Sequence, residues 1–446
     1  MLTALPKDAA GHPLPGRTVA WASVNPGLVS VSSSGRVAGL AAGSTAITAT
    51  VEGKGGTAAI RVLIPPDVSC VSQVGPLLSL SGVRPASYAN TAVADSTKID
   101  ASTAQFLTPA NDPVRVGGGA NICFHGGETL GQLPPSTDWS TMHDTYAFEV
   151  RGSPSFTIED IKEFDYGDGI TLDENSTSNW SIRGVHFRYM RDDCVQNDYL
   201  NSGSIEDSFF DGCYEGFSSR PFTTTQDGSN HLVVVKNSLF RLQDMDHGYA
   251  EPGHGGFFKW SAEGPMVALY NNVYRLDSPS TLSTHTLGPP PGKLWDCANN
   301  VMVWLGSGPF PETLPACYTL LTGAAGLDYW NNAVAQWKAN HPETLADVGP
   351  PIVSLYVPSV SSTLTGSVML TATAVDDQEI AGVQFRLDAQ NLGSEVTIES
   401  PLTKFTLTWD SRSVPNGTYL LSATARDPSG NTKTSAAVTV TISNQP

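Results

Sequence analysis

Three aspartates near the middle of the chain have the spacing of a catalytic or cation-binding cluster. Asp168 precedes one short apolar run, and the pair Asp192-Asp193 precedes another 24 residues later. If that interval is one turn of a stacked β structure, the carboxylates meet on one surface, because neighbouring strands lie about 4.8 Å apart. Two carboxylates at roughly 5 Å repel by on the order of 3 kcal/mol at an effective dielectric near 20. The cluster therefore needs a cation or a shared proton, and catalysis uses both.

A repeat in the surrounding sequence predicts the elements that position these aspartates. Seven stretches combine an apolar strand with a polar corner, and the corners recur every 23 to 35 residues. The corner residues are Asp160, Gly184, Asp207, Asn237, Asn272, Asn300 and Asn332. Short strands, no helical period and corner residues that tolerate the αL conformation predict a parallel β-helix. The alternative is a β-propeller, but 23 or 24 residues hold only three short strands.

Two flanking segments differ from this middle part. Each alternates apolar and small polar residues in short runs between Gly, Pro and Asn turns, which predicts a β-sandwich. Val19-Ala20-Trp21-Ala22-Ser23 and Gly43 to Ala49 resemble the bacterial Ig-like domain of group 2, and Pro415-Asn416-Gly417-Thr418-Tyr419 resembles bacterial Ig-like domains of secreted enzymes and adhesins. The predicted chain is all-β: an Ig-like domain at 1–65, a right-handed parallel β-helix at 66–348 and an Ig-like domain at 349–446.

Composition limits the partners. The 446 residues include 25 Lys and Arg against 43 Asp and Glu, a formal net charge of -18, which argues against binding nucleic acid or an anionic membrane surface. No run of eighteen apolar residues is present, so no membrane insertion is expected. Two cysteine pairs are 19 and 20 residues apart, which predicts disulfides between neighbouring turns; buried free thiols are the alternative. Disulfides would indicate a secreted or cell-surface protein, and we expect a monomer.

The aspartate motifs resemble two families of right-handed β-helix enzymes. Asp168-Gly169, Asp192-Asp193 and Gly256-Phe257-Phe258-Lys259 are similar to motifs of the calcium-dependent pectate lyases of polysaccharide lyase family 9. The resemblance implies a calcium site at Asp168, Asp192, Asp193 and Gln196, with Lys259 as the base. Gln196 replaces the family's fourth acid, and Lys259 follows Asp193 at a longer interval than in the family.

The second resemblance is to the polygalacturonases of glycoside hydrolase family 28. Gly167-Asp168-Gly169 and Asp192-Asp193-Cys194 match in part, whereas Glu215 stands at the family's His and Lys259 lacks its companion Arg. This resemblance implies an inverting hydrolase, in which one aspartic acid protonates the glycosidic oxygen and another activates water.

Besides the calcium ligands, the sequence predicts two sets of site residues, one catalytic and one substrate-binding. The candidate catalytic residues are Lys259, Arg220, Asp193 and Glu215, and the candidate substrate-binding residues are Lys236, Tyr214, Trp260 and His254. The leading hypothesis is a calcium-dependent lyase acting on acidic polysaccharides. A polygalacturonase-type hydrolase and a non-catalytic, glycan-binding or adhesin-like β-helix are the alternatives.

Overall fold

The computed structural model describes most of the chain as two compact units, Met1–Gln73 and Val74–Pro446. The described residues are 2–26, 29–33, 35, 37–39, 43–62, 69–108, 112–131, 133, 137–245, 253–342, 347, 349–358, 361–376, 379–397 and 404–445. The predicted domain boundaries at 65/66 and at 348 lie outside the described residues, so those limits stay predictions.

The first unit contains small antiparallel sheets. Its elements are β1 Ala20–Ser23, β2 Val29–Val31, β3 Val37–Gly39, β4 Gly43–Val51, β5 Lys54–Val62 and a 3-10 helix at Cys70–Ser72. Strands β1, β4 and β5 form one sheet, and β2 pairs with β3. The tight turn between β4 and β5 places Glu52 and Gly53 at positive φ, as a two-residue hairpin requires.

The second unit begins with a long parallel structure. Among the described residues its strands are β6 Leu77–Arg84, β7 Tyr88–Val93, β8 Lys98–Phe106, β9 Val114–Gly118, β10 Cys123–His125, β11 Glu128–Leu130, β12 Tyr146–Arg151, β13 Thr157–Glu159, β14 Lys162–Phe164, β15 Asp168–Asp173, β16 Trp180–Arg183, β17 His186–Gln196, β18 Gly203–Glu206, β19 Phe209–Ser219, β20 Leu232–Lys236, β21 Leu239–Leu242, β22 Phe258–Trp260, β23 Met266–Tyr270, β24 Val273–Leu276, β25 Leu294–Ala298, β26 Asn300–Trp304 and β27 Tyr318–Thr322. Its helices are α1 Trp139–Met142 and α2 Gly323–Asn340.

These strands stack in three parallel sheets, as the β-helix prediction requires. Sheet A contains β10, β13, β16, β18, β20, β23 and β25, and sheet B contains β11, β14, β21, β24, β26 and β27. Sheet C contains β7, β9, β12, β15 and β22. Strands β6 and β8 run from sheet A into sheet B, and β17 and β19 run from sheet B into sheet C. The predicted fold class is confirmed.

The corners of the coil differ from the prediction in two details. Asp160, Gly184, Asp207 and Asn237 have positive φ as expected. In the later turns the αL residue is Asn271 or Asn299, the first Asn of each pair, whereas the predicted Asn272 and Asn300 point inward and are fully buried. The amide of Asn272 donates to Asn300, and both amides donate to backbone carbonyls of sheet A. The predicted corner at Asn332 is wrong, because Asn332 lies within α2.

Apolar side chains fill the inside of the coil and also cover part of its outside. Stacked or edge-on rings from successive turns of sheet B, Phe187, Phe210, Phe240 and Tyr274, run along the interior. Helix α2 packs Trp330 and Trp337 against the outer face of sheet B. This burial gives the sheets a fixed register, since a one-residue slip would turn every buried side chain outward.

The end of the second unit is a β-sandwich. Its elements are β28 Ile352–Val357, β29 Thr363–Leu364, β30 Ser367–Val375, β31 Gly382–Leu387, β32 Gln390–Asn391, β33 Lys404–Asp410, a 3-10 helix at Ser411–Ser413, β34 Gly417–Arg426, β35 Thr432–Thr434 and β36 Val438–Ile442. One sheet has the order β28-β30-β33, and the other β29-β36-β34-β31-β32 with β35 beside β34. Inward residues of both sheets, including Phe385 and Phe405, form its core.

The cysteine prediction is confirmed. All six cysteines are disulfide-bonded, and two bridges, Cys194–Cys213 and Cys297–Cys317, join neighbouring turns 19 and 20 residues apart. No described helix has the length and apolar character needed to cross a membrane.

Candidate active site

The candidate site is built on sheet C, where neighbouring strands of successive turns carry charged side chains. Asp168 begins β15, Asp193 lies in β17 and Glu215 lies opposite it in β19. Lys259 lies in β22, opposite Ser218 of β19. The stacking of β15, β17, β19 and β22 therefore collects residues that are far apart along the chain.

The three aspartates form a tight and buried cluster. One carboxylate oxygen of each of Asp168, Asp192 and Asp193 lies within 4.8 Å of the other two. Their exposed fractions are 1%, 4% and 0%. The backbone N–H of Asp193 donates to Asp168 Oδ1 at 3.0 Å, which fixes one turn against the next. The sequence prediction that these side chains meet is consistent with this arrangement.

Local irregularities aim these side chains at one point. The pairing of β17 with β19 shifts between Met190 and Asp193, where the chain passes from sheet B to sheet C. A side chain at Gly167 would collide with the carbonyl oxygen of Met142, its Cβ lying only 1.9 Å away. Strict alternation of inward and outward side chains is not enforced at such a shift, so aspartates can occupy these positions of β17.

Lys259 is in contact with the cluster. Its Nζ lies 3.0 and 3.2 Å from the two carboxylate oxygens of Asp193 and 3.5 Å from Asp192. The side chain of Lys259 is only 7% exposed. The long interval along the chain between Asp193 and Lys259 does not separate them in space. Most of the residues between them form strands of sheets A and B and the segments that connect the strands.

Burial and mutual repulsion set the electrostatics of the cluster. Burial, followed by the charges of Asp193 and Asp192, raises the pKa of Asp168 well above its ordinary value. Burial and the charge of Asp193 also raise the pKa of Asp192 to about 7, although Lys259 opposes this shift. Burial by itself would lower the pKa of Lys259, but the charges of Asp193 and Asp192 outweigh it and raise that pKa. The cluster thus holds a protonated lysine and at least one carboxyl that binds a proton near neutral pH.

Glu215 extends the site by one turn and holds a histidine. It is 1% exposed and accepts hydrogen bonds from the backbone N–H of Gly256 at 2.7 Å and from His285 Nδ1 at 2.5 Å. Burial raises the pKa of Glu215, and the charge of Asp193 adds to this effect. A Cβ at Gly255 would lie 1.7 Å from Glu215 Oε1, so any larger residue there would displace this carboxylate.

Two further predicted residues lie on the outer side of the site. Gln196 is half-buried on β17, opposite Thr171 and Ser218. Arg220 follows β19 with an exposed side chain, and its backbone N–H donates to Asp198 Oδ1 at 3.0 Å. The charge of Arg220 acts on Lys259 and opposes the rise of its pKa.

The predicted substrate-binding residues are not brought together. Lys236 lies on sheet A, where its Nζ contacts Glu206 at 2.6 Å. Tyr214 is fully buried among apolar side chains and offers no face to a sugar. Both ring nitrogens of His254 lie within 3.0 Å of backbone oxygens, and the ring is buried. Trp260 is half-buried against Phe217 and donates to the carbonyl of Pro265.

Sequence reasoning missed His285 and Asp198. Asp198 lies next to the site, and the charge of Asp193 helps burial to raise its pKa. His285 belongs to the segment between β24 and β25 and has no motif around it. The one sequence feature that could have pointed to His285 is Glu215 itself. An acid stands there where the polygalacturonase pattern has His, and a buried acid needs a partner.

Comparisons with known proteins identify the two small domains. Residues 5–62 match the bacterial Ig-like domain (group 2), and residues 351–423 match the bacterial Ig domain, as the sequence predicted. No curated protein matches the chain. The disulfides and the bacterial Ig-like domains indicate an extracellular or surface protein.

Three solved structures show only distant likeness. Fibronectin(III)-like modules of Clostridium thermocellum CbhA are 18% identical over 20% of this chain and 93% of that chain, with a TM-score of 0.18. The endo-beta-1,4-mannanase from Thermotoga petrophila is 11% identical over 60% and 66%, with a TM-score of 0.21. The receptor-binding tailspike of bacteriophage Det7 is 12% identical over 83% and 95%, with a TM-score of 0.18. At these TM-scores none of them indicates a function.

Proposed function

We propose that the protein is a polysaccharide lyase that cleaves uronic-acid-containing glycans by β-elimination, with calcium bound at Asp168, Asp192 and Asp193. The observation that carries the proposal is the contact of Lys259 Nζ with Asp193 at 3.0 Å and with Asp192 at 3.5 Å. It sets an amine beside an oxygen-rich cation site, and β-elimination of a uronate uses both a base and a cation.

The aspartates fit a calcium ion in kind and in spacing. Calcium prefers oxygen ligands at 2.3–2.6 Å, so two oxygens on one ion lie at most about 5 Å apart. The oxygens of the three aspartates satisfy this limit, since each lies within 4.8 Å of the others. Burial raises the pKa values of Asp168 and Asp192, and the charges of neighbouring aspartates raise them further although Lys259 opposes the shift. A bound calcium would neutralise this charge, hold the substrate carboxylate and acidify the proton at C5.

Lys259 is placed to take that proton once it is neutral. Its contacts with Asp193 and Asp192 stabilise the ammonium form, so in this arrangement it is an acid and not a base. A second positive charge on the same carboxylates removes that stabilisation and lowers the pKa of the lysine. Lys259 can therefore act as the base only when a bound cation neutralises these carboxylates.

An anionic substrate is consistent with the residues around the cluster. The exposed guanidinium of Arg220 lies near enough to influence Lys259, and Arg forms paired hydrogen bonds with carboxylates. A uronate bound there would add a negative charge beside Lys259, while calcium and Arg220 would compensate for it.

The test is a panel of uronans, such as polygalacturonate, alginate and glucuronan, incubated with the protein and calcium. We expect ultraviolet absorbance from unsaturated uronate products, abolished by a chelator. Lys259→Ala should lower the rate by ~10²- to 10⁴-fold, the usual contribution of a general base. Lys236→Ala is the matched control and should retain the rate. If wild-type protein yields no unsaturated product from any uronan, the proposal is wrong.

Calcium binding can be measured separately by calorimetry. We expect Asp193→Asn to abolish binding, and we expect the affinity of the wild type to fall below about pH 7, because the pKa of Asp192 is about 7 and protons then compete for its carboxylate. Calcium affinity that does not change between pH 8 and pH 5.5 would contradict binding at Asp192.

A glycoside hydrolase is the second candidate, and the raised pKa of Asp192 favours it. A carboxyl with a pKa of about 7 can donate a proton to a glycosidic oxygen at neutral pH. The close spacing of the cluster suits this reaction less well, since inverting hydrolases separate their two carboxyls by roughly 6.5–9.5 Å. New reducing ends formed without unsaturation and without calcium would select the hydrolase. Glycan binding that survives replacement of all three aspartates, with no product, would indicate a binding protein.

A further inference from the structure

We infer that His285, oriented by Glu215, donates the proton that the leaving glycosidic oxygen needs during β-elimination. This inference rests on the proposed lyase function and adds the acid to the base and cation described above. It is carried by the contacts of the Glu215–His285 pair, which no sequence motif assigns.

Glu215 has the surroundings of a residue that positions another. Its two carboxylate oxygens are used separately: Oε2 accepts from the N–H of Gly256 at 2.7 Å, and Oε1 contacts His285 Nδ1 at 2.5 Å. The side chain of Glu215 is only 1% exposed, so it is shielded from solvent and has little freedom to change rotamer. The imidazole is therefore held from a fixed point on β19, directly opposite Asp193 in the register.

The backbone of the histidine segment is also attached to the site. Thr286, the next residue, exchanges two hydrogen bonds with Phe258, with N–O distances of 3.1 Å in both directions. Phe258 immediately precedes Lys259 in β22. One strand pairing thus sets the spacing between the imidazole and the proposed base.

The contact with Glu215 decides the tautomer. Because Nδ1 lies against a carboxylate oxygen, it carries a proton and donates, and Nε2 is left for a second partner. Among the described residues no protein group lies within hydrogen-bond distance of Nε2, and the side chain is 10% exposed. When the imidazole carries two protons, the N–H at Nε2 is therefore left for a bound ligand, with the carboxylate of Glu215 beside Nδ1.

Two protons move in the proposed step. Neutral Lys259 removes the proton at C5, and that electron pair forms the C4–C5 double bond. The bond between C4 and its glycosidic oxygen breaks, and this oxygen takes the proton from His285 Nε2. The products are an unsaturated uronate and a free hydroxyl, and the imidazole remains neutral with Nδ1–H on Glu215.

The test assays the full-length protein, with calcium, on two substrates. One is the uronan that the wild type cleaves, and the other is a uronoside that carries 4-nitrophenolate at C4, which leaves without a proton. We expect His285→Ala and His285→Gln to lose ~10²- to 10⁴-fold on the polymer, as is usual for a general acid, and to keep the wild-type rate on the nitrophenyl substrate. Lys259→Ala should lose activity on both.

Glu215→Gln tests the positioning role. Without the carboxylate that holds the ring in place, kcat on the polymer should fall while KM stays at the wild-type value, and the nitrophenyl rate should be unchanged. His231→Gln is the matched control and should match the wild type on both substrates, because His231 lies directly before β20 of sheet A, with its Nδ1 2.6 Å from the carbonyl oxygen of Leu200. Equal losses of the His285 variants on both substrates would overturn the inference while leaving the lyase function standing. A wild type that forms no unsaturated product would instead refute that function.

Discussion

At the scale of single residues, buried acids have a charged partner in one place and none in another. In the site, Lys259 contacts Asp192 and Asp193. Glu163 of β14, by contrast, is 1% exposed, and neither of its carboxylate oxygens has a hydrogen-bond partner among the described residues. Its register neighbours are Thr129 and the core residue Phe187, so it faces the inside of the coil. Burial raises the pKa of Glu163 well above its ordinary value.

This buried acid predicts a pH-dependent stability. A raised folded-state pKa gives stability that is complete below about pH 4.5 and is lost as the pH rises towards the folded pKa, because the unfolded chain releases the proton first. Glu163→Gln removes the titration, so the advantage of the variant over the wild type in free energy of unfolding should be greater at pH 8 than at pH 5, by about 1.4 kcal/mol for each pH unit over which only the unfolded chain is ionised. Urea unfolding at pH 5 and pH 8 measures this difference. If the gap between the two proteins is the same at both pH values, Glu163 is not the titrating group.

At the scale of elements, the passage of β17 from sheet B to sheet C holds the aspartates in place. Tyr189 has positive φ there, and Arg191 forms an ion pair with Asp165 of the preceding turn, with Nε–Oδ1 2.7 Å. Both side chains are at most 1% exposed, and Arg191 also donates to the carbonyl of Leu133 at 2.9 Å. Arg191 directly precedes Asp192, so this pair anchors the chain at the entrance to the site.

The buried pair predicts a large and non-additive effect on stability. Arg191→Met alone leaves an unpaired buried carboxylate and should cost about 3–5 kcal/mol in the free energy of unfolding. Arg191→Met with Asp165→Leu removes both charges, and the double variant should be more stable than either single variant. Denaturant unfolding of the three variants and the wild type completes the cycle. Additive losses would show that the two side chains do not interact.

The same elements show what the sequence predicts well and what it does not. Repeat length and apolar spacing predict the β-helix, since those quantities follow from the number of strands in a turn. The αL corners at Asp160 and Asn237 follow from residue type, whereas Asn271 and Asn299 precede a second Asn and the pattern cannot rank the two. Asn332 has the same local pattern as a corner, yet two tryptophans of its segment pack on sheet B and stabilise a helix.

For the site as well, the sequence predicts some positions and not others. Asp168 and Asp192-Asp193 are one turn apart, and the spacing alone places them together. Lys259 and His285 reach the site through long connections of unequal length, so their positions depend on strand pairing that the sequence does not display. Tyr214 and Lys236 have suitable residue types, but their side chains face other surfaces.

At the scale of the whole molecule, the two described disulfides stabilise different regions of the coil. Cys194 and Cys213 are fully buried beside the site, whereas Cys297 and Cys317 are half-buried near the last turns. Loops of this length give about 3 kcal/mol of stabilisation per bridge in the chain-entropy model. We expect a mild thiol reductant to open Cys297–Cys317 in the folded protein and to spare Cys194–Cys213 until the protein unfolds. Alkylation followed by peptide mass spectrometry measures this order, and early labelling of Cys194 would contradict it.

The stacking of turns also separates distance along the chain from distance in space. Asp193 and Lys259 are 66 residues apart, yet only β19 lies between their strands in sheet C. An insertion in a connecting segment can therefore lengthen or shorten this interval without moving the two side chains. Relatives of this protein would share the order of the charged positions on sheet C while differing freely in the gaps between them. A comparison that aligns turns, one rung against another, would recognise them where one that penalises gap length would not.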